Sequence, residues 1–68
     1  MSERLANRIK AEREKEALTQ AALAEMVGVS RKTINTVENG VFIPSATLAI
    51  KLAQALGVSV EQLFWIER

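Results

Sequence analysis

Apolar residues recur along the chain in five blocks, and most blocks end on a residue that favours a turn. Leu5, Ala6 and Ile9 form the first stripe, behind Ser2 as a cap and Glu3 near the positive end of a helix. Arg4, Arg8, Glu12, Lys15 and Glu16 are charged neighbours at helical spacing, and most read as a solvated face. This helix is expected to fray near Lys15 or Glu16, and the Ala17-Leu18 link needs no Gly or Pro. Thr19 caps a second helix, Gln20 to Val27, with Leu23, Ala24 and Val27 on one face. Gly28 stops it, Val29 plugs the corner, and Ser30 caps a third helix, Arg31 to Asn39, which Gly40 ends. Pro44 bars helix at Ile43. Ser45 then opens a fourth helix on Leu48, Ala49, Leu52, Ala53 and Leu56. After Gly57, Ser59 caps a short fifth helix containing Val60, Leu63 and Phe64. The pattern predicts an all-α domain of five helices with no linker and no long repeat.

The third helix has two unlike faces. Ile34, Val37 and the stem of Glu38 face inward. Lys32, Asn35, Thr36 and Asn39 face outward, with Arg31 at the edge of the first turn and Asn35 toward the side of the face. Length and composition narrow the chemistry. Sixty-eight residues allow one domain, 1–68, and 49% hydrophobic residues suffice for a folded one. There is no Cys, His or Asp, which removes disulfides, zinc fingers, imidazole bases and Cys nucleophiles. No nucleophile stands beside a base and no glycine-rich phosphate loop is present, so an enzyme is not expected. No metal, cofactor or small-molecule ligand is expected either. Nothing resembles a signal peptide or a membrane span, which predicts a cytoplasmic protein. The net charge of +1 is a weak nucleic-acid footprint, so the distribution of charge matters more. Residues 1 to 15 hold five of the nine basic side chains, and Arg31 and Lys32 open the third helix.

Residues 19–40 resemble the helix-turn-helix of the Cro/phage-repressor (XRE) family. The matching features are Leu18-Thr19-Gln20, Leu23-Ala24, Gly28, Ser30, Ile34 and Glu38-Asn39-Gly40. The Pro44-Ser45 start and the Leu52-Ala53 to Leu56-Gly57-Val58 run extend the likeness over residues 3 to 64. The resemblance implies a compact, five-helix lambda-repressor-like domain that binds double-stranded DNA in the major groove. It further implies a buried ion pair between Arg13 and Glu38, tying the first helix to the recognition helix. A helix about 10–12 Å across fits a groove about 12 Å wide, with its N-terminal residues against base edges. Arg31, Lys32 and Thr36 occupy the matching base-contacting positions, with Asn35 beside them. Arg31 or Lys32 suits guanine, Thr36 a thymine methyl, and Asn35 adenine. Arg31 and Lys32 also suit phosphate. Gln20, Thr19, Thr33 and Asn39 are the candidate phosphate contacts, with Asn39 equally suited to ending the helix. Val41 departs from the lysine that many relatives carry, which weakens a phosphate clamp in the Val41-Phe42-Ile43 loop.

One such motif touches few base pairs, so two half-sites and a two-fold dimer are expected. Phe64, Trp65 and Ile66 are the candidate interface in a C-terminal segment of about residues 60–68, with Phe42 and Ile43 nearby and Ile50 partly exposed. Covering the monomer's own core is the alternative for Phe64 and Trp65. The function expected is a homodimeric, sequence-specific transcriptional regulator acting as a repressor. The alternative is a protein-interaction module of antitoxin or anti-repressor type.

Overall fold

The computed structural model describes residues 2–68. Seven elements follow in order: β1 (Arg4–Asn7), α1 (Ile9–Lys15), α2 (Gln20–Val27), α3 (Arg31–Glu38), α4 (Ala46–Leu56), α5 (Val60–Leu63) and β2 (Phe64–Glu67). Five helices form, and α2, α3 and α4 stand where the apolar pattern places them. Thr19, Ser30, Ser45 and Ser59 each accept a hydrogen bond from the backbone amide three residues on, at 3.0–3.1 Å. Each removes one orphan amide from a helix start.

The two ends of the chain differ from the expectation. Residues 4–7 are not the start of the first helix, and Ser2 caps nothing there. They form β1, which pairs antiparallel with β2 in the register Arg4↔Glu67, Leu5↔Ile66, Ala6↔Trp65, Asn7↔Phe64. The Leu5–Ile9 spacing fits a helix, but the backbone amides of Arg8 and Ile9 are taken by Leu63 O and Asn7 Oδ1, both at 3.0 Å. Those two bonds leave α1 to begin at Ile9. Phe64 leaves the fifth helix for the same ladder, with φ −128° and ψ 145°. The Phe-Trp-Ile run favours a pleated surface. A two-stranded ribbon is marginal alone but stable when packed on helices, and Phe64 anchors it in the core.

That core is made by Ile9 from α1, Leu23, Ala24 and Val27 from α2, Ile34 and Val37 from α3, four residues of α4, Leu63 and Phe64. Every helix contributes, so the α2–turn–α3 unit is not free-standing. Helix α1 ends in a left-handed turn. Leu18 N donates to Arg13 O at 2.9 Å and Ala17 N to Glu14 O at 3.0 Å, the paired bonds of a Schellman ending. The left-handed position is Ala17, φ 56°, where glycine is the usual residue. Glycine fills the equivalent positions after α3 and α4, at Gly40 and Gly57.

Candidate nucleic-acid interface

Gly28, at φ 77°, turns the chain between α2 and α3, and α2 packs closely on both α3 and α4. Advancing about 100° per residue, α3 places Thr33, Ile34, Val37 and Glu38 on one arc. Arg31, Lys32, Asn35, Thr36 and Asn39 fall on the other. Ile34 and Val37 are buried. Arg31, Lys32, Asn35 and Asn39 are exposed, and Thr33 and Thr36 are half-buried. Asn35 lies between Arg31 and Lys32 on the outward arc, toward its α2 side, where Gln20 reaches it. Thr36 marks the arc's edge.

The Arg13–Glu38 pair fixes this helix from beneath. Arg13 Nε donates to Glu38 Oε2 at 2.8 Å and Nη2 to Oε1 at 3.3 Å, a two-pronged contact. Arg13 Nη1 donates to Leu18 O at 2.8 Å. The two side chains are only 10% and 4% exposed. The hydrogen bond that Arg13 donates to Glu38 raises the Arg13 pKa above its ordinary value, against the opposing pull of burial. The guanidinium stays charged at every pH the fold meets.

From that pair a polar relay runs to the surface. Gln20 Nε2 donates to Glu38 Oε1 and to Asn35 Oδ1, both at 3.1 Å. Asn39 Nδ2 donates to the same Asn35 oxygen at 3.2 Å. The threonines are engaged locally. Thr19 Oγ1 caps α2, Thr33 Oγ1 bonds Ser30 Oγ at 3.0 Å, and Thr36 Oγ1 donates to Thr33 O at 2.9 Å. Arg31 and Lys32 pair with no carboxylate among the described residues.

Two contributors escaped the sequence reading. Asn7 Nδ2 donates to Val37 O at 3.1 Å, tying β1 to the last turn of α3. Its signal was present: Asn two residues before buried Ile9 is a capping residue type. Arg8 lies 5.1 Å above the Trp65 ring, a cation–π contact within the chain. The expected interface residues divide. Phe64 is only 7% exposed. It belongs to the core, the alternative reading for this residue, because β2 turns it inward, and it offers little surface to a partner. Trp65 and Ile66 remain partly exposed, and Val41, Phe42 and Ile43 are exposed. Phe42, Ile43 and Trp65 line one groove with Leu5 and Asn7, between the ribbon and the α3–α4 loop.

Five helices, two of them the capped α2–turn–α3 unit, with a basic outward arc on α3, define a lambda-repressor-like helix-turn-helix domain. The helix-turn-helix family model matches residues 9–63, and the chain belongs to that family of regulators. It is 38% identical over 61 residues to the uncharacterized HTH-type transcriptional regulator YgzD of Bacillus subtilis, covering 90% of this chain and 92% of that one. Vibrio cholerae antitoxin HigA-1 is 47% identical over 49 residues, 72% of this chain and 44% of the antitoxin. The P22 c2 repressor protein, solved in complex with synthetic operator 9T, superposes with a TM-score of 0.77 at 39% identity. That match covers 79% of this chain and 82% of the repressor.

Proposed function

We propose that this protein is a sequence-specific DNA-binding repressor that occupies a two-fold operator as a homodimer. The observation that carries the DNA reading is the outward arc of α3. Arg31 and Lys32 stand exposed without carboxylate partners among the described residues, on a helix braced from behind by a buried ion pair. Arg31, Lys32, Asn35 and Thr36 face the base edges. Thr19, Thr33 and Asn39 flank them toward the phosphates, with the backbone amides at the N-terminus of α2, Gln20 included; the Gln20 side-chain NH2 is held by Glu38 and Asn35. The likeness to a repressor solved on an operator supports this docking. Exposed Phe42, Ile43 and Trp65, which line one groove, support a self-association surface, since contiguous apolar patches mark interfaces, and exposed Ile66 follows on β2. Selection of binding sites from random duplex DNA tests the proposal. It should return one half-site, repeated with two-fold symmetry at a spacing near one helical turn, about 34–36 Å.

The likeness to an antitoxin, together with the apolar Val41-Phe42-Ile43 loop, favours a second reading in which a protein partner binds the same domain. Failure to enrich any sequence at low salt, where electrostatic affinity is greatest, would favour it over the first.

A further inference from the structure

The buried pair also decides which way the Asn35 amide faces. Ionised Glu38 can only accept hydrogen bonds. Its Oε1 lies 3.1 Å from the Gln20 amide, so Gln20 must turn its NH2 group toward it. The same NH2 lies 3.1 Å from Asn35. A nitrogen at that point of Asn35 would set donor against donor, so Oδ1 must point inward. Asn39 Nδ2 then supplies a second donor to this oxygen at 3.2 Å. Both of its lone pairs are engaged. The Asn35 Nδ2 is left on the exposed side with two hydrogens and no acceptor among the described residues.

We infer that Asn35 is a specificity-determining residue that selects guanine or thymine and rejects adenine, with Gln20 as the residue that positions it. This rests on the DNA-binding reading above. Asparagine reads adenine through both its oxygen and its nitrogen, the oxygen accepting from N6. Here the oxygen is occupied. A donor pair instead matches guanine, which offers N7 and O6 side by side, or thymine O4. Against adenine, one hydrogen would meet the N6 amine. The neighbours extend the same preference. Arg31 and Lys32 are donors only. Thr36 gives its hydroxyl hydrogen to Thr33 O, which leaves its methyl as the feature to meet a thymine methyl. The nearest remaining acceptors are the half-buried Thr36 oxygen and Asn39 Oδ1 at the far end of the helix.

The test is site selection with the wild-type protein, Asn35→Ala and Gln20→Ala, each checked for folding by thermal melting. The wild type is expected to select guanine or thymine at one position where Asn35→Ala loses all preference. If that base is guanine, 7-deazaguanine there should weaken the wild type about tenfold and leave Asn35→Ala unchanged. Gln20→Ala frees the amide to rotate, so its preference at that position should broaden to admit adenine, an effect that a merely structural role for Gln20 would not produce. Adenine as the base that depends on Asn35 would overturn the inference. So would an identical half-site for Asn35→Ala, an unbroadened preference for Gln20→Ala, or no effect of 7-deazaguanine. A wild type that enriches no sequence at low salt would instead overturn the DNA reading, and the inference with it.

Discussion

Glu38→Ala leaves the Arg13 guanidinium buried with one hydrogen bond, to Leu18 O, in place of three. The remaining charge is 10% exposed and cannot turn to water without breaking the α1–α2 corner. Removing one partner of such a pair costs about 3–5 kcal/mol, most of it the penalty of the orphaned charge. A domain of this size has a total stability of about 3–10 kcal/mol, so the variant should be at or near the edge of folding. At roughly 4–8 °C per kcal/mol, the melting midpoint should fall by at least about 12 °C. Urea and thermal melts followed by circular dichroism measure it. Arg13→Met combined with Glu38→Leu should recover most of the loss, because apolar residues of similar volume often replace a buried pair at little cost. The raised Arg13 pKa sets the sign of any pH effect on its side. Stability from a raised group is present below its unfolded pKa and lost only as pH climbs through the folded one. For an arginine both lie beyond the working range, so Arg13 contributes no pH dependence at neutral or mildly alkaline pH. A midpoint for Glu38→Ala equal to wild type would refute the reasoning, since it would mean that the guanidinium finds water.

Ala17→Gly should raise stability by about 0.5–1 kcal/mol, because relief of the left-handed strain, about 1–2 kcal/mol, outweighs glycine's extra unfolded-state freedom; chemical denaturation at constant slope reads it. Lys32→Ala should change stability by less than about 0.5 kcal/mol. Binding isotherms across a salt series then separate its two roles: a slope reduced by about one unit marks a phosphate contact, an unchanged slope with relaxed sequence preference a base contact. Ile43→Glu, at a side chain 71% exposed, should keep the fold and shift the protein toward 7.5 kDa particles in sedimentation; association unchanged from wild type would remove this loop from the dimer contact.

Helices α2 to α5 were legible because each opens on its own cap, Thr19, Ser30, Ser45 or Ser59. Ser30 begins α3 and Gly40 ends it whatever the rest of the chain does. The Arg13–Glu38 pair was legible only through the family likeness, since the two residues lie 25 positions apart and periodicity joins nothing over that distance. The ribbon was not legible. Leu5 and Ile9 match a helical stripe, while β1 exists because of Phe64–Glu67 at the other end of the chain. A four-residue strand has too few positions for alternation to outvote a helical reading. Phe64 fell on the wrong side for the same reason: as a helix residue it extends the Val60–Leu63 surface, and as a strand residue it turns into the core.

Those non-local contacts converge on α3. Arg13 reaches Glu38 from α1, Gln20 reaches it from α2, and Asn7 reaches Val37 O from the ribbon. Each grips the inward arc or the last turn. None draws on the side chains of Arg31 and Lys32. The consequence is a division of labour that mutation can exploit. Changes to Arg31 or Lys32 alter what the helix meets and leave its position alone. Changes to Arg13, Gln20 or Asn7 alter its position without removing any side chain from the outward arc. Asn35 is the exception, since its oxygen belongs to the brace and its nitrogen to the exposed face. The Gln20–Glu38 bond is part-buried and the Gln20–Asn35 bond exposed, and one amide group makes both. A disturbance at Glu38 is therefore felt at Asn35 through Gln20 alone, before any backbone atom of α3 has to move.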